Sequence, residues 1–143
     1  MASDENFSPT LDDLKVHVKL KLFALWSALM FCYIYGDFFG LFKTGALQAI
    51  ISGRTPVGRV SEGVLLAMSI SVAIPSCMVF LSLVLPPRLN RWMNIILGAA
   101  YTVIMMVTMP GNWYFYIFLG LVEIALTALI VWYAWTWPKQ PAR

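Results

Sequence analysis

The chain has 143 residues, of which 60% are hydrophobic and 12% charged, and its formal net charge is +3. Soluble domains carry roughly 25% charged residues, so this composition excludes an ordinary soluble domain and indicates an integral membrane protein surrounded by the lipid bilayer. The lysines and arginines are scattered over the termini and two loops instead of forming a stripe. No nucleic-acid partner is therefore predicted.

The N-terminal segment, residues 1–20, is polar but contains an amphipathic pattern. Over residues 8–20, SPTLDDLKVHVKL, Thr10 is a candidate helix cap and Asp13 follows three residues later. Leucine and valine recur on one face at helical spacing. We predict a short amphipathic helix that lies on the membrane surface.

Four apolar segments follow this polar region. They cover residues 21–42, 62–85, 91–110 and 112–137, and a short tail occupies 138–143. Each is close to the roughly 20 residues that a helix needs to cross the hydrocarbon core. Pro86-Pro87 ends the second segment, and Pro110-Gly111 turns the third into the fourth. The predicted fold class is all-α, an integral membrane bundle of four transmembrane helices in one domain, 21–137.

The connection between the first two segments, residues 43–61, has an apolar centre. This stretch, ALQAII, lies between Gly45 and Gly53. Glycine commonly flanks short helices because it adopts the conformations that end them. We predict a short helix on the bilayer surface here.

The positive charges are unevenly divided between the two sides of such a bundle. Seven of the ten lysines and arginines lie at the two termini or in the loop between the second and third segments, and three lie on the opposite side. Cytoplasmic loops carry an excess of lysine and arginine. Both termini are therefore predicted to be cytoplasmic.

Glu123 is the most unusual residue of the fourth segment, YIFLGLVEIALTALIVWYAWTW. Insertion of an acidic residue at the centre of a span costs about 2.5 to 3.5 kcal/mol. At about 1.5 Å rise per residue, Glu123 lies roughly 16 Å from the external end of its span. Intramembrane ionisable residues face the interior of a bundle and commonly mark functional sites, but a purely structural hydrogen bond remains the alternative.

Other polar residues reach a similar depth in the remaining spans. Asp37 is shallower, roughly 7 Å from the external end of its span, and is expected to pair with a loop cation, which is Lys43, Arg54 or Arg59. The candidate ligand- or proton-binding residues are Glu123, Asp37, Tyr33, Ser71, Tyr101 and Thr102.

Small residues form stripes at helical spacing, which allow helix backbones to approach closely in membranes. The candidate packing residues are Gly36, Gly40, Gly63, Ala67, Pro75, Gly98 and Gly120. Pro75 removes one backbone hydrogen bond near the middle of the second span. We expect a kink there that opens a small cavity.

Enzyme signatures are absent from the sequence. The single histidine and the two separated cysteines, Cys32 and Cys77, offer no zinc or haem spacing, and no phosphate-binding glycine loop or catalytic triad is present. We predict a non-enzymatic protein without a metal site, and the sequence names no cofactor.

Three segments carry a resemblance to a known family. AIPSCMVFLSLVLPPRLNRWMNII at 73–96, YIFLGLVEIALTALIVWYAWTW at 116–137 and LKLFALWSALMFCYIYGDFFGLF at 20–42 resemble a family of small bacterial four-span membrane proteins catalogued as a domain of unknown function. The R-x-N-R-W pattern at 88–92 is the most specific part. The resemblance implies the fold and the bacterial inner membrane, but no activity.

Two functions are compatible with these features. The first is binding or transport of a proton, a cation or a small lipophilic ligand through the intramembrane carboxyl group. The second is an accessory role in a larger membrane complex, respiratory or photosynthetic, in which the small-residue stripes would contact other subunits or a second copy of the chain. A lipid-modifying enzyme is a weaker third reading, because no second catalytic group accompanies Glu123.

Overall fold

The computed structural model describes residues 15–55 and 58–138. Its elements are α1 Val18–Gly40, α2 Ala46–Ile51, β1 Arg54–Thr55, β2 Gly58–Arg59, α3 Glu62–Val84, α4 Pro87–Thr108 and α5 Tyr114–Trp135. Four of them, α1, α3, α4 and α5, are long and apolar enough to cross a membrane. The predicted all-α class with four such helices is thereby confirmed.

The helix boundaries differ from the predicted spans chiefly at α4. The third span was predicted to begin at residue 91, but α4 begins at Pro87. Proline is favoured at the first position of a helix, because its fixed φ suits the helix and its missing N–H would have no partner there. The polar residues after Pro87 therefore form the first turn of α4.

The amphipathic helix predicted over 8–20 lies mainly outside the described residues. Within the described part, the helix begins at Val18 and continues directly into α1. His17 is its cap, since Nδ1 of His17 accepts a hydrogen bond from the Lys19 backbone N–H at 3.2 Å.

The short helix predicted at ALQAII is confirmed as α2. Gly45 and Gly53 flank it with φ of 80° and 69°, in the left-handed region that favours glycine. An antiparallel pair of two-residue strands follows, in which Arg54 lies opposite Arg59. This pair was not predicted from the sequence.

The long helices alternate in direction. We call the end of the bundle where α1 and α4 begin the termini end, and the end that carries α2, the β1–β2 pair and the α4–α5 turn the loop end. Around the bundle the order is α3, α1, α5, α4, and α3 and α4 have the least contact of the neighbouring pairs, although they are consecutive in the chain.

The core is concentrated toward the termini end. Leu22, Trp26 and Leu29 of α1 are fully buried, together with Met78 of α3 and Ile130 of α5. Within α3 the buried residues all lie between 75 and 82, whereas every residue from 65 to 74 is exposed. The bundle is therefore closed at the termini end and open along α3 at the loop end.

Side chains from other helices satisfy the carbonyl groups that the Pro86-Pro87 pair leaves without donors. A proline cannot donate to the carbonyl four residues earlier, so Ser82 and Leu83 lose their helical partners. Asn90 Nδ2 donates to the Ser82 carbonyl at 2.6 Å. Lys19 Nζ donates to the Leu83 carbonyl at 2.9 Å. The prolines thus fasten the end of α3 to both α1 and α4.

A buried polar chain extends from the same turn into the core. Asn94 Nδ2 donates to Asn90 Oδ1 at 2.7 Å. Trp26 Nε1 donates to Asn94 Oδ1, also at 2.7 Å. Hydrogen bonds of this kind in a low-dielectric interior fix one arrangement of the helices. The sequence pattern did not predict this network.

The candidate packing residues divide by location. Gly98 and Gly120 are buried where α4 meets α5, Gly36 faces Leu119 across the α1–α5 contact, and Pro75 is buried in α3. Gly40 and Gly63 have open space where a Cβ would stand, and Ala67 is exposed.

We expect Gly98→Ala to destabilise the bundle. An added Cβ would lie 2.9 Å from Val131 Cγ2 and 3.4 Å from the Thr127 carbonyl oxygen, so α4 and α5 would have to separate. Overpacking of this kind costs about 1 kcal/mol or more. Thermal unfolding in detergent should show a lower Tm for Gly98→Ala. Gly63→Ala, which meets open space, is the matched control and should leave the Tm unchanged or slightly raised; equal effects of the two substitutions would contradict the prediction.

Candidate functional site

A cavity of about 260 Å³ lies in the loop half of the bundle, bordered by all four long helices. Its polar lining consists of Glu123 and Asp37 with the hydroxyl-bearing residues Tyr33, Ser71, Tyr101, Thr108 and Tyr116. Its apolar lining consists of Gly36, Met68, Val72, Ile104, Met105 and Leu119. No lysine, arginine or histidine is among the described residues that border it.

Glu123 occupies the deep part of this cavity. The residue is only 5% exposed, and its Oε2 atom is buried without a hydrogen-bond partner among the described residues. The neighbouring hydrogen bond does not involve the carboxyl group, because Thr127 Oγ1 donates to the backbone carbonyl of Glu123 at 2.9 Å. A buried polar atom without a partner costs about 1 to 3 kcal/mol. The carboxyl group is thus positioned by the fold without being used to hold it together.

Asp37 lies nearer the loop end, on the exposed edge of the same cavity. Gly36 and Leu119 lie at about the same level of the bundle, since a Cβ added to Gly36 would be 3.7 Å from Leu119 Cδ1. Counting from that level at 1.5 Å per residue, the Cα atoms of Asp37 and Glu123 are roughly 7 Å apart along the bundle axis.

Lys43, one of the three expected partners of Asp37, makes other contacts. Its Nζ donates to Asn112 Oδ1 at 3.1 Å and lies over the rings of Phe115 and Tyr116, 5.3 and 5.2 Å from their centroids. These contacts join the end of α1 to the α4–α5 turn. Because Lys43 makes these contacts, it does not pair with the carboxyl groups of the cavity.

Tyr101 has a specific structural role in the cavity wall. Pro75 has no N–H to donate to the Ser71 carbonyl, four residues earlier in α3. Tyr101 Oη supplies the missing hydrogen bond, donating to the Ser71 carbonyl at 2.7 Å. The Ser71 hydroxyl instead donates to the Met68 carbonyl of its own helix. The predicted polar layer at Tyr101 and Ser71 therefore includes a repair of the proline break.

Three aromatic rings surround the space above Glu123. The Tyr33 and Tyr101 rings are 6.3 Å apart between centroids and tilted by 38°, and Tyr116 borders the cavity from α5. Thr102, also predicted for this layer, lies outside the cavity and donates to Thr127 Oγ1 at 2.7 Å. The structure thus groups five of the six candidate residues around one space.

Two polar lining residues escaped the sequence analysis. Tyr116 precedes Glu123 by seven residues, and Thr108 follows Tyr101 by seven. Residues seven apart share one face of a helix, so this spacing was the available signal. Tyr116 Oη lies 3.4 Å from Thr108 Oγ1 and donates to it across the loop end of the cavity.

The described residues, 15–55 and 58–138, contain no cluster of three histidine, cysteine or acidic side chains of the kind that binds a transition metal. Cys32 and Cys77 are free thiols. The chemical resources of the cavity are two carboxyl groups, hydroxyl groups, aromatic rings and thioethers.

Four apolar helices around an acidic cavity define a class, that of α-helical membrane proteins with a polar cavity inside the bundle. The chain belongs to DUF6326, a family of unknown function, whose family model matches residues 13–142. The resemblance to a family of unknown function is thereby confirmed. Comparison with curated proteins and with solved structures gave no match.

Proposed function

We propose that this membrane protein binds a monovalent cation in the loop-half cavity, in exchange for a proton on Glu123 and without catalysis. The observation that carries the proposal is the environment of the Glu123 carboxyl group. The residue is only 5% exposed, and one carboxyl oxygen has no hydrogen-bond partner among the described residues. The carboxyl group borders a cavity that no described basic side chain lines. A neutral carboxylic acid is the stable form in hydrocarbon when no cation is bound. A bound cation would replace the proton.

Labelling with dicyclohexylcarbodiimide tests this function. The reagent is lipophilic, and the O–H of a protonated carboxyl group adds across one of its C=N bonds, leaving a covalent adduct that mass spectrometry locates. We expect an adduct on Glu123 in lipid nanodiscs, and slower labelling in the presence of sodium, potassium or benzyltrimethylammonium. Glu62 is the internal control, because it is exposed at the start of α3. Labelling of Glu123 that none of these three cations slows would contradict the proposal.

The same exchange predicts the direction of a pH dependence. Cation binding that releases one proton becomes tighter as pH rises, until the carboxyl group is already ionised in the free protein. The titratable groups near Glu123 are Tyr33 and Asp37 on α1, Tyr101 on α4 and Tyr116 on α5, which border the same cavity, and Cys32 on α1, whose thiol is close enough to sense the carboxyl charge. We expect the apparent Kd to fall with rising pH in wild type, by up to about tenfold per pH unit, and Glu123→Gln to abolish cation binding at every pH. A pH-independent Kd in wild type would contradict proton exchange.

We further propose that both termini lie on the cytoplasmic side, which the uneven distribution of lysine and arginine supports, and that the membrane is the bacterial inner membrane, as the family resemblance implies. In that orientation the cavity lies in the external half of the bilayer.

An accessory role in a larger complex is the second candidate. The observation that favours it is α3, which buries no residue from 65 to 74 within the chain, so that a partner helix would find an open face. Mild extraction from native membranes followed by a native gel and mass spectrometry tests it. Co-migration with other subunits at fixed stoichiometry would support the role, and migration of this chain alone or as a homo-oligomer would contradict it.

A further inference from the structure

One wall of the cavity is open toward the lipid. A helix packed along its whole length buries a residue every three or four positions, but none of the ten residues from 65 to 74 of α3 is buried. On the other side of the opening, Ile104 of α4 is exposed. Met68 and Ile104 both border the cavity, so the gap between the loop halves of α3 and α4 leads directly into it.

Pro75 divides α3 into a fastened half and an open half. Toward the termini end, Met78 and Ser82 are buried, and Asn90 holds the Ser82 carbonyl. Toward the loop end, the hydrogen bond from Tyr101 to the Ser71 carbonyl is the last one that ties α3 to α4 among the described residues. Beyond it the two helices have room to admit a side chain or a ligand.

The lining favours an organic cation over a bare metal ion. A bare metal ion needs several oxygen ligands in direct contact with it, but the cavity lining supplies only two carboxyl groups, and no third acidic, histidine or cysteine side chain of the described residues joins them. Quaternary ammonium groups are instead held by aromatic faces and a carboxylate at van der Waals distance. Tyr33, Tyr101 and Tyr116 place three aromatic side chains in the cavity lining, and methionine and leucine supply an apolar wall.

We infer that the ligand is a lipophilic organic ammonium ion that reaches Glu123 from the bilayer through the gap between α3 and α4. This inference rests on the proposed function, since it names the class of cation and its route. The apolar body of such a cation holds it in the bilayer while its charge stays near the surface, and entry through the gap replaces its contacts with lipid by contacts with the tyrosine and methionine lining. Asp37, at the exposed edge, attracts the charge before Glu123 binds it.

The test of ligand class uses two probes of equal shape. Benzyltrimethylammonium and neopentylbenzene differ in that a carbon replaces the charged nitrogen. With each probe in nanodiscs, we expect benzyltrimethylammonium at about ten times its Kd to slow carbodiimide labelling of Glu123 about tenfold, and neopentylbenzene to leave it unchanged. Equal slowing by both probes would overturn the charge requirement. Slowing by sodium but not by benzyltrimethylammonium would overturn the inference while the proposed function stands, and slowing by no cation would overturn both.

The test of the route uses a bulky group at the gap. In a chain carrying Cys32→Ala and Cys77→Ala, the thiol of Met68→Cys adds across the C=C bond of N-pyrenylmaleimide. The matched control is Leu66→Cys, because Leu66 is exposed on α3 but does not border the cavity. We expect pyrene at position 68 to slow carbodiimide labelling of Glu123 about tenfold or more, and pyrene at position 66 to have no effect. Equal labelling rates at the two positions would overturn the lateral route.

Discussion

Glu123→Met is expected to stabilise the protein while abolishing cation binding. The wild-type carboxyl group is buried and has an oxygen without a partner, so the folded state bears the cost of a polar group that makes no compensating bond. Methionine has similar length, adapts its shape and carries no group that needs a partner. We expect the free energy of unfolding to rise by about 1 to 3 kcal/mol.

Thermal unfolding in detergent would be measured, and the binding of benzyltrimethylammonium would be measured directly, without the carbodiimide, on the same preparations. Glu123→Gln is the informative companion, because its amide keeps the polar burial and loses the charge; it should bind no cation and gain no stability. A drop in Tm for Glu123→Met would show that the carboxyl group holds the bundle together, as the structural reading of an intramembrane glutamate requires. That result would remove the main support for the proposed function.

The combination of stability gain and loss of binding is the signature of a functional residue. Natural proteins retain groups that destabilise the fold where activity needs them. Thr127, one turn further along α5, shows the contrast: it is buried, yet its hydroxyl group is fully engaged with Thr102 and with backbone carbonyls. Two polar residues of similar burial on one helix therefore differ in their hydrogen bonds: the Thr127 hydroxyl group has partners, whereas one oxygen of the Glu123 carboxyl group has none among the described residues.

The sequence was sufficient for the depth of each polar residue but not for the direction it faces. Depth follows from counting along a helix at a fixed rise, so Glu123, Tyr33 and Tyr101 were correctly expected at one level. Facing direction depends on helix rotation, and a span that is apolar all round gives no amphipathic signal for it. Ala67 illustrates the consequence: it belongs to a small-residue stripe of α3, yet Ala67 itself is exposed within the chain.

Thr102 shows the same limit at finer scale. It lies beside Tyr101 in sequence and at almost the same depth, but consecutive helical residues are rotated by about 100°. Tyr101 therefore faces the cavity, whereas Thr102 faces α5 and binds Thr127. The α4–α5 turn and the ALQAII helix were predictable because proline and glycine act locally.

The proline pattern of α3 contains information that sequence reasoning can use more fully. Each proline identifies, four residues earlier, one carbonyl that needs a donor from elsewhere. An apolar chain has few such donors, and here Asn90, Lys19 and Tyr101 each serve one of the three carbonyls. The partners themselves could not be assigned without the structure, since they come from two different helices. The prolines at positions 75, 86 and 87 nevertheless showed in the sequence that three such donors were needed.

A double-mutant cycle between Tyr101 and Pro75 tests this account at the cavity wall. Tyr101→Phe removes the hydroxyl group that donates to the Ser71 carbonyl and keeps the ring. Interhelical hydrogen bonds in membranes average only about 0.6 kcal/mol, because the separated helices find other partners. The Ser71 carbonyl has no such alternative within α3, so we expect a larger cost, about 2 kcal/mol.

Pro75→Ala restores the backbone N–H that can donate to the Ser71 carbonyl, and so makes the tyrosine hydroxyl dispensable. In that background Tyr101→Phe should cost less than about 0.5 kcal/mol, which gives a coupling energy of roughly 1.5 kcal/mol. The free energies of all four proteins would be measured by denaturant titration in mixed micelles. Additive effects would mean that Tyr101 stabilises the bundle through its ring alone, which packs edge-on against Trp26 at 6.2 Å. Strong coupling would identify Tyr101 and Pro75 as one unit that keeps the loop half of α3 helical while leaving its face open beside Glu123.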